Sequence, residues 1–297
     1  MKVKTNKMLR KEHIAGYLFA APWLLGMLFF TAYPILASIT YSFMDYSILE
    51  PPKWAGFANY TTLFKDQLFW TSLYNTLYFV IISVPLTIII GLLISLMLNK
   101  DIKGIAIYRT LYYIPSIVPV VAGSILWAWI FNPNFGILTN VVNFFGITAP
   151  GWLSDPAWAK FSLILMALWG AGGGMIIYLA GLKNIPKVYY EAAELDGANA
   201  RQSFINITLP MISPTLFFQL IIGMIGAFQV FTQAFIMTNG GPNDSTMFYV
   251  YYLYNNAFRF WKMGYSSAMA WILFVIIMIL TWISFRVSKY WVQYDQV

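Results

Sequence analysis

Long apolar runs separated by short clusters of charge set the pattern of this chain. No Asp, Glu, Lys or Arg occurs from Ala15 to Met44, Gln67 to Asn99, Thr110 to Ser154, Phe161 to Leu182, Gln202 to Asn243 or Met263 to Phe285. A helix needs about 20 consecutive apolar residues to cross a bilayer. The runs therefore predict six spanning helices, at 15–40, 71–98, 107–131, 159–181, 213–237 and 265–287. The two longest also hold a loop each, marked by the turn sequences NPNFG at Asn132–Gly136 and NGGPND at Asn239–Asp244. The expected fold class is all-α: a polytopic integral membrane protein with both termini on one face.

Lys and Arg set the orientation, because short positively charged loops stay in the cytoplasm. Lys2, Lys4, Lys7, Arg10, Lys11, Lys100, Lys103, Arg109, Lys183, Lys187, Arg201, Arg286 and Lys289 fall on the side of the termini, and only Lys53, Lys65, Lys160, Arg259 and Lys262 on the other. Both termini and the 183–212 loop are expected in the cytoplasm, with residues 1–14 as a basic N-terminus and 15–297 as the transmembrane domain. The first apolar stretch is too long for a signal-peptide core, so it counts as the first helix.

A composition of 60% hydrophobic and 10% charged residues agrees with a lipid setting. The net charge of +7 does not imply nucleic acid, because the cations flank helix ends and form no aromatic-interleaved basic patch. With no cysteine and one histidine, His13, no metal site is expected and no cofactor is expected on this chain.

Against this background the segment EAAELDGANARQSFINITLP, Glu191–Pro210, stands out for its three carboxylates. Pro186 suits a helix first turn, Val188–Leu195 holds good helix formers, and Gly197 supplies a stop. The segment predicts a short helix, a sharp turn and a second helical stretch up to Pro210. Ala192 and Ala193 permit close approach, and Glu191 and Glu194 offer carboxylates to a partner's Arg or Lys. Two readings stand at this point: a docking element, or a solvated loop whose charges keep it in the cytosol. An enzyme would need a clustered acid and base, and Glu191, Glu194 and Asp196 have no histidine nearby.

The segment resembles the signature of permease subunits of ATP-binding-cassette importers. Glu191-Ala192-Ala193 is followed after three residues by Gly197, and after nine more by Ile207, Leu209 and Pro210. APWLLGMLFFTAYPILASITYSF, VPVVAGSILWAWIFNPNFG and TNGGPNDSTMFYVYYLYNNAF resemble the carbohydrate-uptake branch, and TNGGP at Thr238–Pro242 the first of its two permeases. The chain lacks the extra N-terminal helices and external insertion of the maltose-type member and is similar to the compact six-helix form. The resemblance implies a sugar importer permease, its sugar an oligosaccharide, with glycerol 3-phosphate or another polar solute as the alternative within the family. It implies a cell-membrane heterodimer with a second permease, two cytosolic ATP-binding subunits that carry ATP and Mg, and an extracytoplasmic sugar-binding protein. Glu191, Ala192, Ala193, Asp196, Gly197, Leu209 and Pro210 would form the coupling element, and the permease itself would hydrolyse nothing.

A transport path has independent, smaller signals. Gly226, Gln229 and Gln233 fall at i, i+3 and i+7 on the fifth helix, which would put two amides beside a gap on one face. They serve equally as helix–helix glue. WGAGGG at Trp169–Gly174 lacks the Lys and preceding strand of a phosphate loop and is expected to be a thin, flexible helix wall. From the resemblance, Trp169, Gly170 and Gly173 would lie near substrate, with Trp169 stacking on a sugar ring or packing against lipid or protein. Trp127 and Trp129 suit an aromatic belt. No paired carboxylates lie within a span, so a secondary carrier has no proton or sodium relay. A phosphate-bearing solute would favour cations in the cavity, and the spans are expected to hold none.

Overall fold

The structure, a computed structural model, describes residues 7–100 and 102–293. Lys2 and Lys4 of the expected basic N-terminus lie outside the described residues. The chain divides into two compact units, Met1–Lys65 with Asn256–Ile272, and Asp66–Asn255 with Leu273–Val297.

In the first unit, α1 (Lys7–Met27) continues through a π turn, Leu28–Ala32, into α2 (Tyr33–Ser42). The wider turn carries the helix into Pro34, which has no N–H to give an ordinary helical bond. A hairpin of β1 (Met44–Ser47) and β2 (Glu50–Trp54) follows. The hydrophobic pattern does not anticipate this pair. Phe43 holds it in place by stacking near Trp54 and meeting Phe57 edge-on at 5.3 Å. From α3 (Ala58–Lys65), Asn59 Nδ2 donates to the carbonyls of Ser42 and Met44 at 2.9 and 2.8 Å.

The second unit opens with α4 (Gln67–Leu98), whose first turn is capped by Asp66 Oδ1 accepting from the Leu68 N–H at 2.9 Å. The third expected span is broken: α5 (Ile105–Ile117) and α6 (Val120–Ile130) meet at 97° across Val118–Pro119. The proline removes a donor and holds the preceding residue extended, which ends α5. A short α7 (Ile137–Phe144) leads to the fourth span, α8 (Pro156–Trp169), a 3-10 stretch Gly170–Gly174 and α9 (Met175–Lys183).

Sequence suggests a thin, flexible wall here, but Gly172, Gly173 and Gly174 are points of close packing, while Gly170 meets nothing within 4 Å. A Cβ on Gly172 would lie 2.0 Å from the Tyr112 carbonyl oxygen of α5, and one on Gly174 would lie 2.4 Å from Gln219 Nε2. Small residues let helix backbones approach where lipid supplies no hydrophobic drive.

After α10 (Lys187–Leu195), the chain runs as one helical rod from α11 (Ala200–Ser203) through a π turn, Phe204–Thr208, into α12 (Leu209–Phe228). The fifth span thus ends at Phe228 rather than near 237. Beyond it, α13 (Tyr249–Tyr254) precedes the last span, α14 (Met263–Ser288). Among the described residues five helices are long and apolar enough to cross a membrane, or six if the bent α5–α6 pair is counted as one span.

A polar cavity and an exposed helix form the candidate functional site

The exposed helix is α10, and its end is built by local backbone chemistry. Gly197 sits at φ +75°, and the N–H groups of Gly197 and Ala198 return to the carbonyls of Glu194 and Ala193 at 3.0 and 2.9 Å. This is a Schellman closure, which satisfies two orphan carbonyls and needs a residue tolerant of the left-handed region. Two residues on, Asn199 and Gln202 form a reciprocal capping box that starts the next helix. The helix–turn–helix is therefore a defined object.

The rod is tied to α10 by one polar and one apolar contact. Tyr190 Oη and Thr208 Oγ1 are 2.8 Å apart, with Thr208 in the π turn that leads the helix into Pro210. Tyr190 and Ile207 pack on a buried cluster of Leu92, Tyr178, Leu182, Ile185 and Ile212. The expected coupling residues consequently separate. Glu191, Ala192, Glu194, Asp196 and Gly197 are exposed and Ala193 half-buried on or beside α10, whereas Leu209 and Pro210 belong to the rod that carries it.

Sequence reasoning passed over the apolar part of this surface. Val188, Ala192 and Leu195 share a helix face at i, i+4 and i+7, with Val188 62% and Leu195 90% exposed. The exposed leucine thus stands beside the carboxylates of Glu191 and Glu194. The i, i+4, i+7 spacing was the available signal.

A cavity of about 500 Å³ lies between α4, α8, α9 and α12. Gly226, Gln229 and Gln233 all line it, and no atom lies within 4 Å of a Cβ placed on Gly226. Their route there differs from the expected single helical face. Gln229 is the C-terminal cap of α12 at φ −97°, and Gln233 lies beyond the break, ahead of a π turn at Ala234–Thr238.

Ser83, Thr87, Tyr178, Gln219 and Thr232 complete the polar lining. Gln219 and Tyr178 flank Gly174, where an added Cβ would lie 2.4 Å from Gln219 Nε2 and 3.0 Å from Tyr178 Cε2. The place of Gln219 was legible, because Gln219, Gly223 and Gly226 recur at i, i+4 and i+7 in an otherwise apolar helix. Trp169, Gly170 and Gly173 do not line the cavity. Trp169 meets Trp127 edge-on at 6.0 Å, and a Cβ on Gly173 would lie 3.0 Å from Ser116 Cβ. Trp127 is turned inward onto Phe131 at 5.1 Å, while Trp129 is exposed and free to meet lipid.

The loop after Thr238 has an irregular, internally braced backbone. Asn239, Gly240, Asn243 and Asp244 all have positive φ. Thr246 Oγ1 donates to the Gly241 carbonyl at 2.7 Å, and Asn75 Nδ2 donates to those of Asp244 and Met247 at 2.7 and 3.2 Å. Asn75 and Thr246 thereby fix a backbone that has no ladder to join.

A polar cavity among apolar spans, combined with an exposed helix held on one of them, defines a solute permease. The chain belongs to the family of binding-protein-dependent transport system inner membrane components, whose profile matches residues 83–292. It is 44% identical to the probable ABC transporter permease protein YesP of Bacillus subtilis, over 99% of this chain and 96% of that one. The arabinooligosaccharides transport system permease protein AraP of the same species is 33% identical, over 92% and 88%. Among solved structures, the bacterial alginate ABC transporter in complex with an alginate pentasaccharide-bound periplasmic protein superposes with a TM-score of 0.82 at 23% identity, over 95% of this chain and 96% of that chain. The protein is thus a multi-pass inner-membrane component of a transporter that works with a binding protein.

Proposed function

We propose that this chain forms half of the translocation path of an ATP-driven importer for an oligosaccharide. The observation that carries the reading is the cavity, which presents the amides of Gln219, Gln229 and Gln233 beside apolar wall. Carbohydrates combine hydroxyls that need such partners with apolar ring faces, and the volume falls within the roughly 300–1,000 Å³ of small-molecule sites. The arabinooligosaccharide relative supports a saccharide of more than one unit.

A second, similar permease supplies the other half. No residue is buried in the most apolar window of the Leu9–Ser42 span, which leaves that surface for lipid and for this partner. Two cytosolic subunits hold ATP and Mg, one of them docked on α10 through Leu195, Ala192 and the carboxylates of Glu191 and Glu194. Both termini and α10 face the cytoplasm, residues 1–14 being a basic leader to the transmembrane domain. This chain binds no cofactor and hydrolyses nothing.

Changing Gln229 or Gln233 to leucine is expected to lower sugar-stimulated ATP hydrolysis by the assembled complex about tenfold, the worth of one hydrogen bond to a bound ligand. The subunits should still co-purify, because both amides face a cavity rather than a helix contact. Loss of assembly instead would return these residues to the role of helix glue.

A further inference from the structure

Lys160 is a charged side chain that the transport reading leaves unused. It lies one turn into α8, half-buried, with Nζ donating to Asn75 Oδ1 at 3.1 Å and standing 5.0 Å from the ring centroids of both Tyr74 and Tyr78. Asn75 is 2% exposed and its own Nδ2 is held by the Asp244 and Met247 carbonyls, so its oxygen is aimed at the ammonium by the rest of the fold. The cation is thus placed by a built scaffold.

What it lacks is an anion. Among the described residues no carboxylate pairs with Lys160. An ammonium withdrawn from water is costly unless it meets a counter-charge, and a neutral amide with two ring faces compensates only in part. Lys has three donors, of which one is used here.

The surroundings say what kind of anion fits. Tyr74 and Tyr78 are 61% and 36% exposed with ring centroids 6.4 Å apart, so accessible aromatic surface lies beside the free donors. Aromatic faces suit the apolar side of a sugar ring, and an ammonium suits a carboxylate. Lys160 also shares a helix face with Ala167 at i+7, and Ala167 lines the cavity, about 10 Å further along α8.

We propose that Lys160, Tyr74 and Tyr78 form a recognition site on the transport path for a carboxylate-bearing sugar unit, so that the imported oligosaccharide is acidic. This rests on the importer reading above and adds the charge of the cargo to it.

The test uses the complex purified from its native membrane through this chain, reconstituted in lipid nanodiscs with its binding protein. ATP hydrolysis is followed against trigalacturonate and against its methyl ester, which keeps the rings and loses the charge. The wild type is expected to respond to the acid at about tenfold lower concentration than to the ester, the size of one charge-assisted hydrogen bond. Lys160→Gln should remove that preference while subunits still co-purify, Lys160→Arg should keep it, and Tyr78→Leu, which leaves Asn75 untouched, should weaken both responses alike. Retention of the preference in Lys160→Gln, as expected if the ammonium only meets lipid phosphate or braces Asn75, overturns the proposal. Equal response of the wild type to acid and ester also overturns it, but leaves a saccharide importer standing. Response to neither overturns the acidic cargo, and the importer reading falls with it only if a panel of neutral oligosaccharides is silent too.

Discussion

Gly197→Val is expected to insert, pair with its partner permease and yet fail to hold its ATP-binding subunit. No atom lies within 4 Å of a Cβ at this position, so the substitution meets no steric obstacle. Its cost is the backbone: φ is +75°, where a β-branched residue is strained by about 1–3 kcal/mol. A helix of nine residues, Lys187–Leu195, has little reserve against that strain. Opening the Schellman closure would release the carbonyls of Ala193 and Glu194 and swing Leu195 off its face. ATP hydrolysis coupled to uptake should fall at least tenfold, measured in vesicles alongside the ratio of ATPase to permease on a tagged column. Gly197→Asn is the control, because asparagine tolerates the left-handed region, and it should behave as wild type.

Gly172→Val has the opposite signature, failing in the membrane before any partner is needed. A Cβ there would lie 2.0 Å from the Tyr112 carbonyl oxygen, a backbone atom that no side-chain rotation can move. Overpacking of this kind costs ~3 kcal/mol or more. The contact joins the 3-10 stretch to α5, so its loss should spread to the bent α5–α6 pair. The expected result is a chain that is degraded or aggregated on extraction, with little full-length protein recovered beside a wild-type control. Gly170, whose Cβ would meet nothing within 4 Å, should accept alanine without loss.

Charge-free runs located the spans well where the helices are unbroken: the 71–98, 159–181 and 265–287 expectations fall inside Gln67–Leu98, Pro156–Lys183 and Met263–Ser288. Hydropathy is blind to direction, however, and that is why the 97° bend passed unseen. Pro115 and Pro119 were the visible sign of it. The fifth span failed differently. The sequence stays apolar past Phe228, but the chain leaves the helix at Gln229, so two amides that a straight helix would stack reach the cavity from either side of a break.

At the sites, the turn after α10 was the more legible part, because a Schellman glycine and a capping box are local chemistry written within a few residues. The cavity was less so. Tyr178 and Ser83 face it from helices distant in sequence, and nothing in their neighbours announces that. Trp169 illustrates the converse, since a tryptophan suited to a sugar ring instead meets Trp127. Lys160 was counted as an interfacial charge and the spans were expected to hold no cation; it sits half-buried inside α8, held by a side chain 85 positions away.

The central claim is that α10 is the surface on which the ATP-binding subunit docks. The chain has no cysteine, so Leu195→Cys carries a unique thiol at a side chain 90% exposed. Leu49→Cys, at a hairpin residue 80% exposed, is the comparison. The measurement is thiol-to-amine crosslinking in native membrane vesicles, followed by mass spectrometry of the captured partner. Capture of an ATP-binding subunit from position 195 and not from position 49 is the result expected. Capture from position 49, or an ATP-binding subunit that co-purifies with the permease but is never captured from position 195, would contradict it.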